Sequence, residues 1–159
     1  MALFAGKFKN QRMEFNKCKE MFRSCPDLKG LDEQVYALLF WRGEEKTFAS
    51  GTVIYAEGAP LDDTFCFLEM GDLVVEKTGH VVGHITESRI FGEMAYLTRL
   101  RERTATVRVN SPEARVFQIQ LTAREMATAQ FSGLKSYLGL QAWDRFVSGS
   151  QETWSKTVR

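Results

Sequence analysis

The residues best suited to chemistry are a glycine, a glutamate and an arginine that follow one another near the middle of the chain. The stretch Phe91-Gly92-Glu93-Met94-Ala95-Tyr96-Leu97 has the character of a short helix entered through glycine, and Arg103 follows on a predicted strand. A helix N-terminus presents free backbone N–H groups and a partial positive charge, which suit a phosphate. Arginine adds paired hydrogen bonds to phosphate oxygens, and an ionised glutamate accepts bonds from sugar hydroxyls. This set of residues predicts a site that holds a sugar phosphate without cleaving it.

Short β-strands are predicted on both sides of this stretch. Between Phe48 and Gln120, runs rich in Val, Ile, Phe and Thr are separated by glycine or aspartate about every eight to twelve residues. The clearest predicted strands are Thr52–Tyr55, Thr64–Leu68, Asp72–Glu76, Val81–Ile85, Arg103–Val109 and Arg115–Ile119. Regular spacing of this kind favours an antiparallel barrel or jelly roll. The predicted fold class is therefore α+β: an eight-stranded antiparallel β jelly roll flanked by N- and C-terminal helices.

Helical periodicity precedes the strands. Over residues 11–25, Phe15, Cys18 and Phe22 recur at spacings of three and four, which predicts an amphipathic helix that ends at Pro26. This helix could pack on the domain or extend toward a partner, and its sequence does not decide between these. A second helix is predicted to begin at Asp32 as its N-cap, with apolar residues facing inward: Val35, Leu38 and Leu39.

Helical periodicity also follows the strands. Thr122 and Glu125 have the spacing of a capping box. From Phe131 onward, with a possible bend at Gly133, apolar residues form two rows, the first being Phe131, Leu134, Leu138, Ala142 and Phe146, and the second Tyr137, Leu140, Trp143 and Val147. Two rows are more than a surface helix usually needs. One row could pack on the roll and the other on a ligand or a second subunit, or the whole helix could be buried in its own monomer.

The composition is that of an ordinary globular protein and excludes several classes. Hydrophobic residues make up 44% and charged residues 26%, and the formal net charge of +1 does not favour binding to nucleic acid or to an anionic membrane. No run approaches the roughly 20 apolar residues of a membrane span, and the apolar N-terminus is too short for a secretory signal. The three cysteines, Cys18, Cys25 and Cys66, are scattered and are expected to be core residues in a reducing cytoplasm.

Three blocks of sequence resemble, in order, the cyclic-nucleotide-binding domain family. Its phosphate-binding cassette reads F-G-E-[LM]-A and then R-[STA]-A, and this chain has Phe91–Ala95 followed by Arg103-Thr104-Ala105. Phe48–Gly58 resembles the opening strands of the family, and Leu68–Val75 resembles a later turn and strand. The ten-residue step from glutamate to arginine matches the bacterial catabolite-activator type. The resemblance covers roughly residues 30 to 130.

The resemblance implies a role for each cassette position. Gly92 and the backbone amides of Met94 and Ala95 would contact the cyclic phosphate, and Glu93 would bind the ribose 2′-hydroxyl. Arg103 would pair with the phosphate, in preference to its competitors Arg99 and Arg101. Thr104 would add a hydroxyl near the phosphate or the base. The ligand implied is cAMP or cGMP, with a slight preference for cAMP, and no metal and no catalytic residue is implied.

The resemblance also implies an organisation and a mechanism. Residues 1–30 would be an N-terminal helical segment, 31–147 the binding domain with its cassette at 91–105 and C-terminal helices at 121–147, and 148–159 a tail. The C-terminal helix would close over the bound nucleotide and signal to a second subunit or another protein. About a dozen residues follow Val147, so no helix-turn-helix and no nucleic-acid partner are expected.

Two other interpretations are weaker. A degenerate member of the family, serving as a dimerisation or scaffold module, would leave Arg103 paired with Glu93 or Glu102 in an empty pocket. A cupin-type enzyme would share the jelly roll but needs a metal. His80 and His84 do not converge on a hairpin as they would on a helix, so they are predicted to be surface residues.

Overall fold

Two four-stranded antiparallel sheets pack face to face in the computed structural model, which describes residues 15–26 and 28–126. The strands are β1 (Gly43–Ala49), β2 (Val53–Tyr55), β3 (Thr64–Met70), β4 (Leu73–Lys77), β5 (His80–Ile85), β6 (Ile90–Phe91), β7 (Thr106–Val109) and β8 (Glu113–Gln120). The first sheet has the order β1-β8-β3-β6 and the second β2-β7-β4-β5. The predicted antiparallel roll with flanking helices is confirmed in this part of the chain.

Alternation along β3 divides the apolar side chains into two clusters. Cys66 and Leu68 face the second sheet, and Phe65 and Phe67 face the opposite way. The inner cluster, between the sheets, consists of Tyr55, Cys66, Leu68, Leu73, Phe91, Val107, Val109, Ala114 and Val116. The outer cluster lies between the first sheet and the helices and includes Cys18, Phe22, Tyr36, Leu39, Phe65, Phe67, Tyr96, Phe117 and Met126.

The N-terminal helix packs on the domain, which settles the question that its sequence left open. Residues 15–24 are helical and form α1. Phe22 is fully buried and its ring lies 5.9 Å from that of Phe67 and 5.8 Å from that of Phe117. It also stacks on Tyr36 of the next helix, α2 (Glu33–Trp41), at 5.9 Å. The periodicity of α1 is thus the pattern of a helix that covers the first sheet.

The second helix begins where the sequence predicts. Asp32 is the N-cap of α2, although its side chain makes no capping hydrogen bond. At the other end of the domain, Thr122 and Glu125 form the predicted capping box at the start of α4 (Ala123–Met126), with N···O distances of 3.1 and 2.9 Å. Arg42, directly after α2, donates to both carboxylate oxygens of Glu125. The predicted helical rows at 131–147 and the tail at 148–159 lie outside the described residues.

Some strand boundaries differ from the predicted ones. The strand-rich region begins at Gly43 instead of Phe48, and neither β1 nor the short β6 was among the predicted strands. The prediction that Arg103 lies on a strand is wrong, since β7 begins at Thr106. The backbone of Arg103 instead bonds to the turn at Gly58 and Ala59, at 2.9 and 2.8 Å, and this pairing replaces a sheet ladder.

The cysteines and histidines lie where the sequence predicts. Cys18, Cys25 and Cys66 are buried and make no disulfide, and His80 and His84 are exposed. Within residues 15–26 and 28–126, no group of three or more His, Cys, Asp or Glu side chains could hold a metal ion. The helices of that same part of the chain are too short or too polar to cross a membrane.

Candidate functional site

The predicted phosphate-binding stretch leaves the first sheet at the end of β6. Phe91 pairs with Cys66 of β3, and Gly92 follows with a φ of 86°. This backbone conformation favours glycine and turns the chain into the one-turn helix α3 (Met94–Leu97), for which Glu93 is the N-cap. Tyr96 anchors this helix, because its hydroxyl donates to the carbonyl oxygen of Leu121 at 2.5 Å. The short helix entered through glycine is therefore confirmed.

The neighbours of residue 92 leave no room for a side chain, so glycine is required there. A Cβ at this position would lie 2.6 Å from Cε2 of Tyr55 and 3.1 Å from Nη1 of Arg103. The first distance is shorter than real side chains allow, and the Tyr55 ring is held within the core. The close approach of backbone, aromatic ring and guanidinium therefore depends on the absence of a side chain at residue 92.

Arg103 lies buried at this point, with 4% of its surface exposed. Its Nη1 donates to the carbonyl oxygen of Gly92 at 2.9 Å. Its Nη2 donates to Thr64, at 2.8 Å to the carbonyl oxygen and 3.2 Å to Oγ1, and to Oδ1 of Asp62. The ring of Tyr55 lies under the guanidinium, with Cζ 3.6 Å from the ring centroid. The carboxylate partner is thus Asp62, on the loop before β3, and neither of the two glutamates that the degenerate interpretation named.

The Asp62–Arg103 pair joins a buried cation to a carboxylate that water reaches, since 59% of the Asp62 side chain is exposed. Partial burial by itself would raise the pKa of the Asp62 carboxyl. Hydrogen bonds from Thr64 and Arg103, together with the charge of Arg103, outweigh this and lower that pKa below its ordinary value. Asp62 is therefore ionised at neutral pH and balances the arginine charge.

Tyr55 and Cys66 form the floor of this site. The Tyr55 hydroxyl lies 2.8 Å from Oγ1 of Thr64 and 3.3 Å from Sγ of Cys66. Burial raises the pKa of both groups, that of the Cys66 thiol to about 12. Both are therefore neutral at physiological pH. The charge that contacts the Gly92 turn from this side is therefore that of the Arg103 guanidinium.

The other predicted ligand residues follow Gly92 or Arg103 directly in the sequence. Glu93 is 1% exposed, Ala95 is buried, and Met94 and Thr104 are half-buried. The backbone of Glu93 is tied into α3 through its carbonyl oxygen, which accepts from Tyr96 N at 3.1 Å. Glu93 and Arg103 are the two charged residues that the structure buries within its described ranges.

The competing arginines have other positions. Arg101 is exposed, with a φ of 53°, and its Nη1 donates back to the carbonyl oxygens of Tyr96 and Thr98, the latter at 3.1 Å. Arg101 therefore stabilises the loop after α3. Arg99 is exposed on the same loop. Of the three arginines, Arg103 is the one whose guanidinium contacts Gly92.

Three residues that the sequence did not predict as part of the site contact Arg103: Tyr55, Asp62 and Thr64. They lie some 40 to 50 residues before Arg103, at the end of β2, on the loop before β3 and at the first residue of β3. The resemblance of Phe48–Gly58 to the family's opening strands includes Tyr55 but implies no contact with the ligand site. The register that brings Thr64 opposite Gln120 is a property of the folded sheet. The one available signal is the pair Asp62-Asp63 directly before a strongly apolar strand.

Comparison with known proteins identifies the family. Residues 45–127 match the family of the cyclic nucleotide-binding domain, and this match covers more than half of the chain. The chain belongs to this family. No curated protein matches the chain.

Solved structures of cyclic nucleotide-binding domains share the fold. The second cyclic-nucleotide domain of a protein kinase A regulatory subunit, bound to Sp-2Cl-cAMPS, superposes with a TM-score of 0.72 at 20% identity over 89% of this chain and 92% of that one. The regulatory domain of Toxoplasma gondii protein kinase A, with cAMP, has a TM-score of 0.61 at 22% identity over 71% of this chain and 43% of that one.

A third structure carries a different ligand. The regulatory subunit of a cAMP-independent protein kinase A from Trypanosoma cruzi, bound to guanosine, has a TM-score of 0.63 at 21% identity over 73% of this chain and 42% of that one. This chain therefore spans about two fifths of the length of the Toxoplasma and Trypanosoma chains. At these identities the likeness concerns the fold.

Proposed function

We propose that this chain is a regulatory sensor, not an enzyme, which binds cAMP or cGMP at residues 92–95, Arg103 and Thr104. The observation that carries the proposal is the buried guanidinium of Arg103 held against the Gly92 turn. A buried cation is costly unless it is paired. Its position beside a glycine-entered helix of the cyclic nucleotide-binding family favours a phosphate as the second anion at this site.

Arg103 retains donors for that phosphate. Both Nη2 protons are engaged with Asp62 and Thr64, and one Nη1 proton with Gly92. A guanidinium has one further Nη1 proton and the Nε proton. Neither of these two takes part in the bonds that Arg103 makes with the described residues. These donors would reach the cyclic phosphate, while Glu93 would accept from the ribose hydroxyl.

One hydrogen bond links the cassette helix to the start of the C-terminal helices and could transmit binding. The hydroxyl of Tyr96, on the cassette helix α3, donates to the carbonyl oxygen of Leu121, directly before the capping box of α4. A phosphate that shifts α3 would therefore displace the start of α4. The helices at 121–147 would then close over the nucleotide, and a second subunit or another protein would respond to this closure. The nucleotide can shift the domain toward the closed state only in so far as it binds that state more tightly.

The alternative function is a ligand-free scaffold or dimerisation module. One observation favours it: Asp62 already supplies Arg103 with a carboxylate, so the pocket has a charge balance without a phosphate. In a sensor, the phosphate would be a second anion bound to Arg103 beside Asp62. In a scaffold, Asp62 alone would balance the charge of Arg103.

Isothermal titration of cAMP and of cGMP into the purified chain, freed of co-purified ligand, separates the two functions. We expect binding in the micromolar range or tighter, and a loss of about two to four decades in Arg103→Ala, since removing one partner of a buried charge pair costs roughly 3–5 kcal/mol. Arg99→Ala is the matched control, because it removes the same charge from an exposed position and is expected to bind normally. Absence of heat with both nucleotides would favour the scaffold.

A further inference from the structure

We infer that Tyr55 is a positioning residue for phosphate recognition, because its ring fixes the plane of the Arg103 guanidinium. This inference deepens the proposed function and rests on it. In the sequence, Tyr55 is the last residue of a predicted strand, and it contacts the site only in the folded chain.

The ring of Tyr55 contacts both elements that would hold a phosphate. The guanidinium Cζ of Arg103 lies 3.6 Å above the ring centroid, a close cation–π contact within the range of about 6 Å for such pairs. The edge of the ring, at Cε2, is the atom that a side chain at Gly92 would meet first. One buried ring thus determines how closely the arginine and the glycine backbone approach each other.

Tyr55 is itself immobilised. It is 4% exposed, its ring packs edge-to-face on Phe91 at 5.9 Å, and its hydroxyl lies within hydrogen-bond distance of Thr64 and Cys66. Oγ1 of Thr64 also lies 3.2 Å from Nη2 of Arg103. Arg103, Tyr55 and Thr64 therefore form a closed ring of contacts, and Thr64 connects the two side chains that stack.

This arrangement restricts the arginine in the way that phosphate binding requires. Hydrogen bonds to Asp62, Thr64 and Gly92 engage part of the guanidinium, and the Tyr55 ring covers one face of it. A guanidinium with a fixed plane presents its remaining donors in one direction and loses less freedom when a phosphate binds. The contribution of Tyr55 should therefore be specific to ligands that carry a phosphate.

Substitution of Tyr55 tests this role. Tyr55→Leu removes the ring and should weaken cAMP or cGMP binding by about tenfold or more, whereas Tyr55→Phe keeps the ring and should stay within about threefold of wild type. Binding of adenosine and guanosine, which lack the phosphate, should be the same in all three proteins. Leu73→Ala is the control, since it removes a buried side chain of the same inner cluster that can neither hydrogen-bond to Arg103 nor stack on it. It should affect nucleotide and nucleoside equally.

A second measurement does not need a ligand or the leucine variant. In a nitrogen-15 NMR spectrum, the ring current of residue 55 should shift the Arg103 Nε–H signal away from the position of an exposed arginine. This shift is expected in wild type and in Tyr55→Phe. An unshifted, rapidly exchanging signal in wild type would overturn the role of Tyr55, as would equal nucleotide affinity in Tyr55→Leu and wild type. Absence of cAMP and cGMP binding in wild type would instead overturn the proposed function, and the inference with it.

Discussion

The two apolar clusters of this domain, one on each face of the first sheet, are built differently. The outer cluster is dominated by aromatic rings that contact one another, such as Phe22 on Tyr36, Phe67 and Phe117. The inner cluster holds smaller aliphatic residues, and at its edge Tyr55 lies against the buried cation Arg103. The outer cluster binds the helices to the roll, whereas the inner one ends in a charged site.

This difference indicates how the domain separates stability from binding. Contacts between buried aromatic rings stabilise a fold under most conditions. A buried charge opposes folding unless partners surround it, so the inner cluster is less stabilising where Arg103 enters it. A ligand that supplies a further anion should therefore stabilise the inner region selectively. The loss of stability caused by a substitution should then depend on the ligand at the inner cluster and not at the outer one.

The largest effect is expected for Phe22→Ala, in the outer cluster. Loss of a fully buried phenylalanine should lower the free energy of unfolding by about 3–5 kcal/mol. Chemical denaturation with and without saturating cAMP measures this loss. The stabilisation by cAMP should equal that of the wild type, because the lesion lies on the other face of the sheet. If cAMP restored the free energy of unfolding of Phe22→Ala to that of the wild type with cAMP, the separation of the two clusters would be contradicted.

A smaller effect is expected for Asp62→Asn, at the edge of the inner cluster. It leaves Arg103 without its carboxylate and should cost about 1–2 kcal/mol in the free protein, since Asp62 is half-exposed. A bound phosphate would restore the missing negative charge, so the deficit should shrink in saturating cAMP. Asp63→Asn, at the neighbouring position, is the control. A deficit unchanged by cAMP would show that no phosphate reaches Arg103.

The smallest effect is expected at Glu69, on β3 at the margin of the outer face of the first sheet. Burial and a hydrogen bond with Glu45 raise the pKa of Glu69 to about 8, although Arg115 and Lys17 oppose this. The folded state then holds a proton that the unfolded state releases above its ordinary pKa of 4.5. Stability should therefore fall as the pH rises from about 4.5 to 8.

Glu69→Gln tests this expectation. The glutamine cannot ionise, so the variant should lose this part of the pH dependence and gain a little stability at pH 8. Thermal unfolding between pH 5 and 8.5 provides the comparison, with Glu44→Gln, an exposed carboxyl of β1, as the control. Parallel pH profiles in wild type and Glu69→Gln would show that Glu69 titrates normally.

The sequence was sufficient to predict what local patterns encode. The fold class, α1, the capping box at Thr122 and the glycine-entered helix at Gly92 depend on spacing within a few residues. The family resemblance favoured Arg103 over Arg99 and Arg101, and the structure buries Arg103 against Gly92. The roles of Glu93, Met94, Ala95 and Thr104 in ligand binding stay predictions.

Features that depend on distant pairing were not predictable. The first half of β1 carries Glu44, Glu45 and Lys46 and lacks the apolar alternation of a half-buried strand. Among the described strands it lies at the edge of its sheet and pairs with β8. Tyr55, Asp62 and Thr64 reach Arg103 through the turn at Gly58 and Ala59, which bonds to the arginine backbone. Nothing in the spacing of these residues along the sequence specifies that they contact Arg103.

The burial of every cysteine has a practical consequence for following this molecule in solution. The chain contains three thiols, all enclosed in the core and therefore slow to react with dyes. A cysteine introduced at an exposed position, such as Val81→Cys on β5, would be labelled selectively in the otherwise native protein. The domain is thus suited to site-specific fluorescence, without the removal of any natural thiol.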